Sequence, residues 1–236
     1  MTRAWFVTGT DTGVGKTMAA SALLHGLQRM GRAAIGMKPV ASGCHQENGV
    51  WINEDVQQLV RYSSLPVLRG SSASVREADA IPWQTVNPYA FEPAIAPHIA
   101  AARAGVEIRF EVIQENLSTL RARADVVIEG AGGFRVPLGP DGDTADLCQA
   151  IAVPMILVVG MRLGCINHAL LTVESIRARN LVLAGWVANR IDPHMPAFDE
   201  NLVLLKTQIL APCLGIVPFQ QPLQINEVSL AIEALL

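Results

Sequence analysis

The run GTDTGVGKT, Gly9 to Thr17, ends in a glycine, a lysine and a hydroxyl residue, the types a phosphate-binding turn requires. Gly13 and Gly15 allow the backbone to curl, so that amides between Gly13, Val14 and Met18 face phosphate oxygens. A helix opening at Lys16 adds the partial positive charge of its N-terminus. Lys16 would bridge the β- and γ-phosphates, and the Thr17 hydroxyl would ligate Mg²⁺. The usual leading glycine is displaced: Thr10 holds its place and Gly9 precedes it. The phosphate-touching residues follow that position, so the displacement leaves their chemistry intact.

A second cation follows in GMKPVASG, Gly36 to Gly43, where Lys38 stands at the end of an apolar run and Pro39 blocks its continuation. A lysine so placed is commonly a solvated surface residue. If its strand neighbours the first, it faces the phosphate loop, and two lysines in one pocket suit a reaction that builds negative charge. Asp55, near the start of an expected helix, is either a helix cap, a first-turn acid or a metal ligand. Glu129 ends DVVIEGAGG, where an apolar run delivers an acid directly into glycines. With Thr17, these carboxylates make an oxygen shell suited to Mg²⁺. Gly130, Ala131 and Gly132 leave room for a ligand beside the backbone.

Positioning these groups falls to alternating strands and helices. Strands are expected at Ala4–Thr8, Ala33–Lys38, Asp125–Glu129, Met155–Gly160, Val182–Ala188 and Cys213–Val217. Helices are expected at Lys16–Met30, Asp55–Ser63, Pro97–Ala104, Arg109–Arg123, Ile166–Arg179, Met195–Leu210 and Ile225–Leu236. The alternation predicts an α/β fold of the P-loop NTPase type: one domain over residues 1–236, a mostly parallel sheet, and helices on both faces. The polar stretch from Pro66 to Thr85 reads as a long surface insertion. In such sheets ligands gather beyond the carboxyl ends of the strands.

Composition narrows the classes. Of 236 residues, half are hydrophobic and 17% charged, enough for a large core. A net charge of -3 gives no electrostatic case for nucleic acid or an anionic membrane. The N-terminus carries no signal-peptide pattern, and no apolar run approaches the roughly 20 residues that span a bilayer. Cys44, Cys148, Cys165 and Cys213 show no metal-like spacing and read as reduced thiols, so a cytoplasmic protein is expected. The histidines likewise lack paired ligand spacing; His98 reads as a cap or surface residue.

Taken in order, GTDTGVGKT, KPVASG, IEGAGG, VVGMRLGCINHALLT, GWVAN and GIVP closely resemble the dethiobiotin synthetase family over nearly the whole chain. The resemblance implies a Mg-ATP-dependent cyclo-ligase of biotin biosynthesis, usually a homodimer. It would join 7,8-diaminopelargonate and CO₂ through a carbamate and a carbamic–phosphoric anhydride. Lys38 would stabilise the carbamate and its phosphorylated form, and Lys16 the γ-phosphate. Thr12 and Ser42 would hold the diamine and carbamate end. Thr17, Asp55 and Glu129 would bind Mg²⁺, and Gly130 to Gly132 would contact nucleotide and substrate. Cys165, Ile166 and Asn167 open a helix whose N-terminus would receive the substrate carboxylate from the neighbouring subunit; ordinary capping is the plainer reading of Cys165 and Asn167, and the two are compatible.

The chain departs from that pattern at Gly13, where family members often carry Glu. At NRID, Asn189 to Asp192, it resembles the guanine reader of GTPases. Asp192 either reads a base or makes the turn before Pro193. ATP is the favoured nucleotide, with Asn189, Arg190, Val217 and Pro218 around its base. Two other classes remain: a partitioning-type ATPase switch and a cobyrinate-like amidoligase. The first carries a lysine and two glycines where this chain has Thr10, Asp11 and Thr12. The second needs a glutaminase domain, and only a short tail follows GIVP.

Overall fold

The computed structural model describes residues 2–69, 80–219 and 224–236. Six strands form one parallel sheet: β1 (Ala4–Gly9), β2 (Ala34–Met37), β3 (Asp125–Glu129), β4 (Met155–Met161), β5 (Leu183–Arg190) and β6 (Cys213–Val217). Their spatial order is β6-β5-β4-β1-β3-β2. Every residue of β1, β3 and β4 is buried, which explains their continuous apolar character: a parallel sheet is covered on both faces.

The helices of eight residues or more among the described residues are α1 (Lys16–Arg29), α2 (Glu54–Arg61), α3 (Pro97–Ala104), α4 (Phe110–Arg121), α5 (Thr144–Ile151), α6 (Cys165–Ala178) and α7 (Phe198–Gln208). On one face α1 buries Ala19, Leu23, Leu24 and Leu27 against Trp5, Val7, Ile156 and Val158. Each leucine contributes about 1.5–3 kcal/mol by leaving water. On the opposite face α4 and α5 set Ile113, Leu117 and Leu147 against Phe6, Val126 and Ile128. Beside them α6 and α7 cover Leu157, Val159 and Trp186.

Strand order corrects one expectation. β2 does not neighbour β1; β3 lies between them. Register then explains the site, because Met37 pairs with Ile128 and Val7 with Glu129. The next residue after Met37 is Lys38, so Lys38 and Glu129 emerge at one level of the carboxyl edge. Glu129 separates Lys38 from the phosphate loop and also links them.

Other boundaries differ for identifiable reasons. The expected helix Ile225–Leu236 is two 3-10 turns, Ile225–Glu227 and Ile232–Leu235. Between them the Ala231 amide donates to the Leu214 carbonyl, and Ile232 lies where a side chain on Gly26 would otherwise stand. These contacts with β6 and α1 override the helical pattern. Part of the supposed insertion is core: Ile81, Trp83 and Thr85 are buried, and Trp83–Val86 is a short helix. Its residues 70–79 lie outside the described part. Helix α5 was not expected at all. Asp143 caps it by accepting from the Ala145 and Asp146 amides, while Asp146 accepts from the Asp143 amide, a capping box built on aspartate.

Candidate nucleotide and acyl-phosphate site

The turn from β1 to α1 begins this site. Gly13 and Gly15 have φ of 73° and 87°, a left-handed backbone that glycine adopts without steric cost. α1 has no side-chain cap and no acid in its first turn. Its N-terminal amides are therefore free for an anion. Lys16 is buried, and its ammonium donates to the Asp11 carbonyl over 3.0 Å. Burial pulls its pKa below the ordinary lysine value, against the opposing pull of Glu129.

Thr17 Oγ1 lies 2.8 Å from Asp55 Oδ1 and 2.9 Å from Glu129 Oε1; its single hydrogen can serve only one at a time. Lys38 Nζ lies 2.7 Å from both Asp55 Oδ2 and Glu129 Oε1. Asp55 is set by its own helix cap: Asn53 Oδ1 accepts from the Asp55 and Val56 amides. Asp55 is thus a first-turn acid and not the cap. Asn53 was missed in the sequence, although an asparagine directly before Glu54 and Asp55 is a recognisable cap signal.

Burial raises the pKa of the Glu129 carboxyl above the usual carboxylate range, despite Lys38. Burial opposes the charges of Asp55 and Lys38 too, but opposite charges prevail: Lys38 lowers Asp55, and Glu129 together with Asp55 raises Lys38. Glu129 Oε2 is buried with no hydrogen-bond partner. That orphan oxygen, the two carboxylates and the Thr17 hydroxyl fit Mg²⁺, which takes few protein oxygens and completes its shell with phosphate and water. No larger cluster of metal-ligating side chains occurs among the described residues.

After β3, the Gly130 amide donates to the Val7 carbonyl over 3.0 Å. Ala131 and Gly132 follow, and a side chain on Gly132 would stand 3.6 Å from Thr12 Oγ1. Thr12 therefore lies against this turn. Ser42 Oγ is buried without a partner at the end of a short strand, Val40–Ser42.

Asn189 sits at the carboxyl end of β5 in register with Val217 of β6, which Pro218 follows. Its Nδ2 donates to the Val14 carbonyl over 2.8 Å, so it braces the phosphate loop. The Arg190 guanidinium donates to the Pro193 carbonyl and lies over the Phe198 ring at 4.8 Å. Asp192 accepts from the His194 amide. This is a local turn, the simpler of the two readings of that acid.

Cys165 is buried at the start of α6, Ile166 is half-buried and Asn167 exposed. Gly164 is the N-cap at φ 95°, and no side chain caps the helix, so the capping reading of Cys165 and Asn167 does not hold. Just before it, Arg162 pairs with Asp11 at 2.7 Å. Both lie in stretches the sequence singles out, Asp11 in GTDTGVGKT and Arg162 in VVGMRLGCINHALLT, but an ion pair between two loops so distant in sequence leaves no local signal.

An all-parallel sheet with a glycine turn and an uncapped helix after its central strand defines a P-loop nucleotide-binding protein. Solved structures share this fold. The septum site-determining protein MinD of Pyrococcus horikoshii, complexed with Mg-ADP, has a TM-score of 0.57 at 14% identity, covering 99% of this chain and 89% of that one. A ParA family ATPase of Chlorobium tepidum has 0.54 at 11%, covering 94% and 87%. At such identity the likeness is one of fold alone.

The family described as AAA domain matches residues 3–226. The ATP-dependent dethiobiotin synthetase BioD of Aromatoleum aromaticum is 56% identical over 217 residues, 92% of this chain and 90% of the relative. The synthetase of the same name from Nitrosospira multiformis is 51% identical, with coverage of 94% and 90%. That of Xanthomonas campestris pv. campestris is 45% identical, with coverage of 92% and 91%. The chain belongs to the ATP-dependent dethiobiotin synthetase family.

Proposed function

We propose that the chain closes the ureido ring of dethiobiotin from 7,8-diaminopelargonate and CO₂ at the expense of ATP, in biotin biosynthesis. The observation that carries this is the meeting of Lys16, Lys38, Thr17, Asp55 and Glu129 beside a phosphate-binding turn. A substrate amine takes up CO₂ as a carbamate. A carbamate oxygen attacks the γ-phosphorus of ATP, ADP leaves, and the second amine then attacks the mixed anhydride with loss of phosphate. Each of these species is anionic where the two lysines converge.

The amides from Gly13 to Met18 hold the phosphate chain, and Lys16 leaves the Asp11 carbonyl for the γ-phosphoryl oxygens. Lys38 stabilises the charge developing on the carbamate and on its phosphorylated form. Thr12 and Ser42, whose hydroxyl has no protein partner, orient the diamine. Thr17, Asp55 and Glu129 would hold Mg²⁺, which when bound neutralises phosphate charge. Asn189, Val217 and Pro218 border the space for the base, with Arg190 at its rim.

The uncapped N-terminus of α6 is suited to the substrate carboxylate. Leu163 and Leu171, beside and within α6, are 89% and 56% exposed, which supports a homodimer in which Cys165, Ile166 and Asn167 complete the partner's site. No helix among the described residues is long and apolar enough to cross a membrane. As a biosynthetic ligase of this family, the protein is taken to be a cytoplasmic enzyme of one domain, residues 1–236. ADP release measured with and without the diamine and bicarbonate tests the reading. It requires strong stimulation by the diamine; stimulation by lipid or DNA alone would replace it with a switch ATPase.

A further inference from the structure

The backbone of Lys38 is not held by the central sheet. β2 ends at Met37, and the Lys38 amide donates to the Val86 carbonyl over 2.8 Å. The following residue, Pro39, has no amide hydrogen, so the Lys38–Pro39 peptide offers only a carbonyl for anchoring. Asn87 takes it: Asn87 Nδ2 donates to the Lys38 carbonyl over 2.7 Å and to the Tyr89 carbonyl over 3.2 Å. Beyond that point the Tyr89 amide donates to the Pro39 carbonyl over 3.1 Å, and Val40–Ser42 pairs with Tyr89–Phe91. The segment from Val86 to Tyr89 thus grips the lysine's backbone from both directions.

Asn87 is 3% exposed. Its amide orientation follows from its neighbours, because both contacts are carbonyl oxygens and accept only a donor. Its Oδ1 is buried without a partner, a cost an apolar side chain would avoid. The amide group therefore adds little to the core and serves two carbonyls, the shorter contact being to Lys38. A lysine side chain has many rotamers, so its ammonium can meet Asp55 and Glu129 reproducibly only if its backbone is fixed.

We propose that Asn87 is a positioning residue for the reaction, acting through Lys38 by fixing the Lys38–Pro39 peptide at the carboxyl edge of the sheet. This rests on the ring-closing role given to Lys38. Loss of the anchor lets the ammonium drift from the place where carbamate charge develops, and displacements of that kind cost up to about 100-fold in rate.

Asn87→Ala and Asn87→Val, which lack the amide donors and carry no charge, test this in the full-length enzyme. The first readout is the split between kcat and the KM for ATP; the second is acylation of Lys38 by acetic anhydride, followed by mass spectrometry. The expected result is a kcat lower by about 10- to 100-fold, with the KM for ATP nearly unchanged, Lys38 acylated severalfold faster, and a melting temperature lowered by the lost buried hydrogen bonds yet above the assay temperature. If Asn87→Ala does not fold, Asn87→Val decides. Wild-type kcat and Lys38 reactivity in a folded variant would overturn the proposal. So would a kcat loss matched by an equal loss of ATP binding. Failure of the unmodified enzyme to respond to the diamine would instead overturn the ring-closing reading itself.

Discussion

The Lys38 ammonium and the buried Glu129 carboxylate lie 2.7 Å apart, with Asp55 at the same distance on the ammonium's other contact. A single cation thus serves two carboxylates that also fit a magnesium ion. The side chain expected to act on substrate is also the counter-charge of the two carboxylates proposed to hold Mg²⁺.

Removing that cation exposes its double role. In Lys38→Met, Glu129 is left buried beside Asp55 with no positive partner apart from Lys16, a loss of about 3–5 kcal/mol. Ring closure should fall by about 100-fold or more, the scale seen when a group stabilising transition-state charge is removed. Magnesium should partly replace the missing charge. At 100 times its dissociation constant it would return about 2.7 kcal/mol, so thermal melting of Lys38→Met should respond to magnesium far more than that of the unmodified chain. Equal responses would refute the idea that ammonium and metal share the same oxygens.

Gly15 and Asn189 form a matched pair. A side chain on Gly15 would stand 2.0 Å from Asn189 Nδ2, and the backbone there has φ of 87°. Gly15→Ala therefore suffers both a clash and a left-handed backbone, the latter costing about 1–2 kcal/mol. ATP binding should be lost. Adding Asn189→Ala removes the clash and not the backbone cost, so titration calorimetry should find partial recovery in the double variant. No recovery would mean that the contact with Asn189 is not what excludes a side chain.

Far from the site, Asp125 accepts from the Arg3 amide over 2.8 Å and pairs with Arg32. Burial opposes its charge, but Arg32 and the Arg3 amide hold its pKa below the ordinary value of about 3.9. Because the folded value is the lower one, the stabilisation is complete above the unfolded pKa. It disappears as pH falls through the folded value. Asp125→Asn should lower the urea midpoint near neutrality and flatten the acid limb of the stability profile below about pH 4. An unchanged acid limb would show that the pair adds nothing to folding.

How far the sequence reveals this protein depends on what each residue answers to. Met155–Met161 and Asp125–Glu129 are legible because both faces are covered, which leaves continuous apolar runs. Their lateral order is not legible, since no residue of β2 records that β3, and not β1, lies beside it. The pairing of Lys38 with Glu129 is therefore a product of topology. Thr17 and Lys16 declare themselves by local motif. Asn87 does not, because its function is to hold a peptide bond distant in sequence. The tail from Ile225 to Leu235 has helical periodicity, yet its backbone serves β6 through Ala231 and Leu214. Long-range hydrogen bonds decide there, and periodicity cannot report them.

The central claim is that a carbamate oxygen receives the γ-phosphoryl group between Lys16 and Lys38. Its most direct test supplies the enzyme with 7,8-diaminopelargonate, Mg-ATP and bicarbonate labelled with heavy oxygen, and follows the released phosphate by phosphorus NMR. Attack by the carbamate carries one labelled oxygen into each phosphate, giving an isotope-shifted signal that grows with dethiobiotin. Phosphate released without label, while ADP and dethiobiotin accumulate from labelled bicarbonate, would contradict the account.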